Sequence, residues 1–283
     1  MQRLSFIIIA HLSRQKRQRR ERRQSAREAK ETARARIRGV SVETSTIAAN
    51  LAAVRERIRR AAERGGRRAE EITLVAVSKM FPAEAIRQAH AAGVRHFGEN
   101  RVQEWESKQP ALGGLEAAWH LVGHLQSNKA ARAARAFHNI DSLDSMVLAE
   151  KLNRAAGEQG QRLAVLLEAR LAPEETKSGA GEDELPALAE MVLKLPHLHL
   201  RGLMCIPPYF DDPEQARPYF RKLRELREAL RVHLHSRDPE RGEEFLLPEL
   251  SMGMSHDFEA AIEEGATQVR LGTALFGPRI SRR

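Results

Sequence analysis

The sequence predicts an α/β protein: a single (β/α)8 barrel of the TIM type with one extra helix at its N-terminal side. Eight short apolar runs recur along the chain, and seven of them are followed by a segment with helical spacing. The runs are rich in Val, Ile and Leu, as expected of parallel strands that are buried on both faces and joined by crossovers. No GxGxxG stands at the first strand-to-helix turn, which counts against the rival reading, an open Rossmann-like sheet. One barrel of about 250 residues would nearly fill a chain of 283.

The extra helix is read over Ser41 to Arg67, where Ile47, Leu51, Val54 and Ile58 recur at intervals of three and four before a Gly65-Gly66 stop. The strand candidates follow in order. ITLVAVS (72–78) leads into a helix from Pro82 to Ala92, HFGEN (96–100) into Val102 to Lys108, and WHLVGHL (119–125) into Asn128 to Phe137. NIDSL (139–143) leads into Ser145 to Ala156, LAVLLEARL (163–171) into Glu182 to Leu195, and LRGLMCIP (200–207) into Pro213 to His235. ELSMGMS (249–255) precedes a helix from Phe258 to Glu264, and QVRLGTALFG (268–277) closes the series. Short loops and the lack of a low-complexity linker after residue 40 favour one domain over 41–283. No repeat of 20–50 residues is visible.

A formal charge of +9 looks like a nucleic-acid signal until it is located. Residues 1–39 hold 13 Lys+Arg and 3 Asp+Glu, leaving 34 against 35 for the remainder, which is nearly neutral. Segment 1–40 has little apolar periodicity and reads as a solvated, dispensable tail. A targeting peptide, or an arm drawn to RNA or to a membrane surface, are the alternatives. The apolar stretch from Leu4 to Leu12 is too short to span a bilayer. Cys205 is the only cysteine, which rules out an intramolecular disulfide and points to a reducing, cytoplasmic setting. Its place beside a strand end suggests packing and leaves a reactive role open.

Ligands of such barrels sit at the C-terminal ends of the strands. Lys79 closes the most apolar run, so a low-dielectric interior would lower its pKa and leave a neutral amine able to condense with an aldehyde. The competing reading is a loop lysine, or one paired with a carboxylate such as Glu99. SMGMS (251–255) and RLGT (270–273) bring hydroxyls, glycines and backbone amides after the seventh and eighth strands, a frequent place for phosphate. Ser255 could equally be the N-cap of the helix that follows. A phosphate cradle opposite an amine that can form an imine meets the geometric requirement of pyridoxal 5′-phosphate (PLP). Arg270 alternates with Val269 and Leu271, so it could face the mouth and a pyridine nitrogen, or instead pair with Glu263 or Glu264. In GHLQSNK (123–129), Ser127 or Asn128 reads as a helix cap. His120 and His124, spread along a strand, would lie too far apart for one metal.

Taken together, AVSK, HFGEN-x-VQE, WHLVGHLQSNK, KSG, GLMCIPP and LSMGMSHDFEAAIEEGATQVRLGTALFG closely resemble the PLP homeostasis protein family over roughly residues 45 to 280. The resemblance implies a monomeric barrel similar to the N-terminal domain of alanine racemase, carrying PLP without established turnover and buffering or delivering it to PLP-dependent apo-enzymes. Lys79 would be the Schiff-base lysine and Asn100 would lie near the ring. Ser251, Ser255, Gly272 and Thr273 would hold the phosphate, with Met252 and Gly253 shaping the turn and Arg270 facing the pyridine nitrogen. EARLAPEETKSG (168–179) departs from the family, with Arg170 and Leu171 where an Asn-containing stretch is usual.

The main rival is a racemase of the same barrel type, which needs an acid–base group on each face of the substrate Cα. Lys79 can be one; in alanine racemases the other is a tyrosine from a C-terminal domain and a partner subunit. This chain stops at Arg283, directly after the eighth strand, and has only Tyr209 and Tyr219. A carrier is therefore expected, with an RNA-associated role for the basic tail as a third possibility.

Overall fold

The structure is a computed structural model that describes residues 46–172, 178–238 and 247–278. The tail over 1–40 and the predicted helix start at Ser41 lie outside the described residues. Helix α1 (Ile47–Arg64) begins after Thr46, whose hydroxyl accepts from the Ala49 amide, and it buries Leu51, Val54 and Ile58 on one face. Arg57 makes a two-pronged bond to Glu259 and lies 4.5 Å over the Phe258 ring, fastening α1 to the far end of the chain.

Eight parallel strands close into a barrel in sequence order: β1 (Thr73–Val77), β2 (His96–Glu99), β3 (Ala118–Leu121), β4 (Asn139–Leu143), β5 (Leu163–Glu168), β6 (Leu198–Met204), β7 (Glu249–Met254) and β8 (Gln268–Leu271). Closure pairs β1 with β8, placing Ala76 beside Leu271. The crossovers carry α2 (Ala83–Ala91), α3 (Val102–Lys108), α4 (Ala130–Ala136), α5 (Met146–Gly157), α6 (Leu185–Leu193), α7 (Arg217–Arg237) and α8 (Phe258–Glu263). Phe97, Leu121, Ile140, Leu167, Leu203, Leu250 and Val269 point outward and form the main apolar core with these helices.

Four apolar runs overreach their strands by three residues or more, among them the sixth, read to Pro207 where β6 ends at Met204. In the third, pairing stops at Leu121 because the chain turns at Gly123, where a Cβ would fall 2.5 Å from the Asn100 carbonyl. In the fifth, the chain leaves the strand after Glu168, and Ala169 bridges to Ala180 of the returning segment. In the eighth, Gly272 breaks the strand and Thr273–Phe276 forms a single helical turn, α9. A four-residue apolar stretch has too few positions to distinguish period 2 from period 3.6, so the sequence reading missed this turn.

Gly253 has φ +91°, and a Cβ there would lie 2.6 Å from the Ala261 Cβ and 2.9 Å from the Phe258 Cα. The glycine thus lets α8 pack directly on the end of β7. Gly253→Ala should destabilise the fold by about 2–4 kcal/mol through overpacking and backbone strain. Urea denaturation measures this directly, and a loss under about 0.5 kcal/mol, the ordinary range for surface changes, would show that α8 gives way freely.

Candidate functional site

A cross-strand landmark identifies which side chains face the barrel axis. A Cβ on Gly98 would sit 3.1 Å from Val75 and 3.4 Å from Val122, so these three positions on β1, β2 and the end of β3 share the interior. Alternation then carries Val77 inward and leaves Ala76 toward the helices, while Ser78 bonds Glu99 just beyond the strand and Lys79 begins the turn that follows. Lys79 is half-buried in a tight turn closed by the Phe81 amide on the Ser78 carbonyl, with Met80 at φ +67°.

That turn is held from outside the barrel by Lys108. Its ammonium donates to the Ser78 carbonyl at 2.9 Å, to Glu99 Oε1 at 2.7 Å and to Glu104 Oε1 at 2.8 Å. Glu104 in turn accepts from the Met80 amide, and Glu99 accepts from the Ser78 hydroxyl. The Glu99 carboxylate, the partner considered for Lys79, is thus taken by Lys108 and Ser78. Burial pushes its pKa up, and the Lys108 charge opposes that shift.

The phosphate candidates separate into two groups. Ser255 Oγ accepts from the Gly272 and Ala274 amides, both at 3.2 Å, so two backbone donors converge on one oxygen at the start of α9. Ser255 is therefore not the cap of α8. That position is Asp257, which reaches back to the Met254 amide at 2.6 Å. Thr273 is exposed on the same turn, and the Phe276 ring stacks on Phe81 at 4.8 Å. The amide cluster therefore stands beside the lysine turn on the adjoining strand, not across the barrel from it, because closure makes β1 and β8 neighbours. Ser251 lies deeper and is fully buried. Its oxygen accepts from Arg270 Nη1 at 2.7 Å and from Gln268 Nε2 at 2.8 Å, leaving only its proton to offer a ligand. Met252 packs in the apolar layer under the helices, so only its backbone is available to a ligand, and Asn100 lies half-buried against Gly123.

Arg270 faces inward and makes no pair with Glu263 or Glu264, whose carboxylates bind Arg64, Arg217, Arg221 and Arg224 on the helical shell. Its Nη2 donates to the Cys205 carbonyl at 2.7 Å, and burial pulls its pKa down. Cys205 is itself buried, its thiol pushed up to about 12 by desolvation, which removes the reactive reading. His124 lies beyond β3 and pairs with Asp144, whereas His120 is buried against Asp141. Neither Ser127 nor Asn128 caps a helix; Ser127 Oγ instead accepts from Lys151.

Sequence reasoning missed four buried or bridging groups. Gln268 could have been found two residues before Arg270 on the same strand face, and Lys108 as the i+4 partner of Glu104. His96 lies on the inward face of β2, and its alternation with Gly98 was the available signal. Glu168 at the end of β5 has one buried carboxylate oxygen without a hydrogen bond. Burial, with Asp144 nearby, pushes its pKa up to about 7.

The family described as alanine racemase, N-terminal domain, matches residues 49–279. The pyridoxal phosphate homeostasis protein of Aquifex aeolicus is 46% identical over 229 residues, covering 81% of this chain and 96% of that protein. The protein of the same name from Escherichia coli K12 is 44% identical and covers 82% and 97%. This chain belongs to the pyridoxal phosphate homeostasis protein family. PipY of Synechococcus elongatus, solved with PLP bound, superposes with a TM-score of 0.71 at 41% identity, over 82% of this chain and all of that one. The alanine racemase of Clostridium difficile, at 16% identity and a TM-score of 0.61, shares the fold over 56% of its own length. Among the described residues no helix is long and apolar enough to cross a membrane, and no cluster of three His, Cys, Asp or Glu could hold a metal ion.

Lys108→Met would leave a buried carboxylate without its counter-charge, at a cost of about 3–5 kcal/mol near pH 8. The folded-state pKa of Glu99 is raised, so the folded protein takes up a proton that the unfolded chain releases, and stability falls as pH rises through that window. The deficit of the variant should accordingly shrink on acidification toward pH 5. Denaturation curves at both pH values test this, and a deficit that grows in acid would remove Glu99 from the account.

Proposed function

We propose that this chain binds PLP at the mouth of the barrel and serves in its intracellular homeostasis, buffering the cofactor and handing it to PLP-dependent apo-enzymes. The observation that carries this reading is the half-buried Lys79 beside the converging Gly272 and Ala274 amides on the adjoining strand. PLP bears its aldehyde and its phosphomethyl group on neighbouring ring carbons, so an amine and an anion cradle must stand side by side. Its ring nitrogen lies opposite the aldehyde. Arg270 matches that demand, since its guanidinium extends from β8 toward β6 and β7, away from β1. When bound, the cofactor supplies an aldehyde that condenses with a neutral primary amine.

Lys79 would form the covalent link, with Asn100 beside the ring. Ser255, Gly272 and Thr273 would hold the phosphate, Gly253 lets the turn close, and the backbone of Met252 shapes it. Ser251 would act by giving its proton and by holding Arg270. A guanidinium remains charged and donates without surrendering its proton, so the ring nitrogen stays unprotonated and a poor electron sink. Efficient racemisation needs a second acid–base group on the opposite face of the substrate, and because neither tyrosine is placed to supply one we read the protein as a carrier. Tyr209 is mostly exposed and packs on His256, and Tyr219 packs on Phe210 in the outer layer. The domain reading is retained, with a basic tail over 1–40 and the barrel over 41–283. The lone cysteine supports a cytoplasmic setting.

The purified protein should be yellow, and borohydride reduction followed by peptide mapping should label Lys79. A label on another lysine would refute the assignment. Ser255→Ala and Thr273→Ala should weaken PLP retention about 10–100-fold, as expected for hydrogen bonds to a charged group, while leaving pyridoxal retention little changed. Equal losses for both ligands would remove the phosphate from that turn. D/L-alanine interconversion should stay far below about 1 s⁻¹, the lower end of ordinary turnover, and rates above it would overturn the carrier reading.

A further inference from the structure

Barrels of this kind normally fill their interior with branched apolar side chains. Here the interior holds a polar chain instead. β4 and β8 stand opposite one another in the closed ring, yet Gln268 Nε2 on β8 donates to Asp141 Oδ2 on β4 at 2.6 Å. That bond must cross the barrel axis. The same nitrogen donates its second hydrogen to Ser251 Oγ at 2.8 Å, where Arg270 Nη1 also donates at 2.7 Å. On the other side, His120 Nδ1 lies 3.2 Å from both oxygens of Asp141, and His120 Nε2 lies 3.0 Å from His96 Nδ1. Asp141, Ser251, Gln268 and Arg270 are all buried.

Donor and acceptor roles in this chain follow from valence. A carboxylate accepts only, so the Asp141 oxygens take one proton from His120 and one from Gln268. An amide nitrogen has two hydrogens, and both of Gln268 are committed. The Ser251 oxygen has two lone pairs, and both are filled. Arg270 is thereby gripped at both ends of its guanidinium, by Ser251 at Nη1 and by the Cys205 carbonyl at Nη2. Both acceptors are neutral. The anion nearest along the chain is Asp141, three hydrogen bonds from Arg270.

We propose that Gln268, anchored by Asp141, is a positioning residue that fixes the guanidinium of Arg270 for the ring nitrogen of the cofactor. The proposal rests on the PLP reading above. Without the Gln268 amide, Ser251 could rotate its lone pairs freely, Arg270 would lose its fixed direction, and the environment of the ring nitrogen would change. A role confined to filling the barrel would alter stability and leave the bound chromophore as it was.

The test uses the full chain loaded with PLP. Gln268→Met conserves shape and removes both donors. Its visible absorption band should shift, and PLP release into excess apo-enzyme should quicken about 10-fold, the effect of one buried hydrogen bond, while borohydride still labels Lys79. Asp141→Asn keeps an acceptor oxygen for Gln268 and should retain the wild-type band, whereas Asp141→Leu should lose it. Should Gln268→Met fail to fold, Ser251→Ala removes the same link with a smaller change and should give the same shift. A wild-type band and release rate in whichever of these two variants folds would overturn the proposal. Absence of PLP from Lys79 in the wild-type protein would instead overturn the cofactor reading, and the two failures are distinguishable.

Discussion

The arrangement at the mouth of the barrel depends on one hydrogen bond that crosses its axis, from Gln268 on β8 to Asp141 on β4. A buried carboxylate and a buried guanidinium are each costly to desolvate, by several kcal/mol in proteins even after relaxation. Neither touches the other here. Gln268 and Ser251 stand between them and pass the polarisation along, so the carboxylate, the amide hydrogens and the guanidinium all find partners and only the Ser251 proton is left over. The interior consequently has one arrangement in which it is satisfied, where an apolar core could have repacked in several. What is lost in hydrophobic burial is returned as a fixed direction for Arg270.

The same logic operates on the lysine turn. Lys79 opens the turn that follows β1, and the next residue, Met80, has a positive φ that a side-chain-bearing residue adopts at a cost of about 1–2 kcal/mol. Lys108 offsets that cost from behind, drawing the Ser78 carbonyl, Glu99 and Glu104 onto one ammonium. Two lysines thus divide the labour. One packs at the outer side, held by the buried Glu99 and the half-buried Glu104, and the other stands in the turn at the strand end. Barrel closure then supplies the rest, since pairing β1 with β8 sets the α9 amides next to that turn through nothing more than register.

How much of this was legible follows from which interactions are local. Apolar runs and their helical intervals gave all eight strands and the extra helix, because burial on both faces writes itself into each run. The positions of Lys79 and of the hydroxyl-rich turns were legible because they follow strand ends. The errors came where sequence periodicity has no long-range information. The eighth run hid the α9 turn, Ser255 looked like a local cap when its bonds go to Gly272 and Ala274, and the amide cluster was placed opposite Lys79 when barrel closure puts it alongside. Gln268 went unremarked because its partner is 127 positions away. Nothing short of closing the ring brings Asp141 within reach of it.

A carrier and an enzyme built on this barrel differ in what they ask of the groups around the ring. Efficient proton exchange needs a pair of acid–base groups on opposite faces of the substrate. Arg270 is clamped between two neutral acceptors, and its guanidinium, which holds its protons, would offer a ring nitrogen a hydrogen bond without transferring one. Burial raises the pKa of three carboxyls at or beyond the strand ends, Glu99, Asp257 and Glu168, and the last, pushed up to about 7, stands at the end of β5, opposite β1 in the ring.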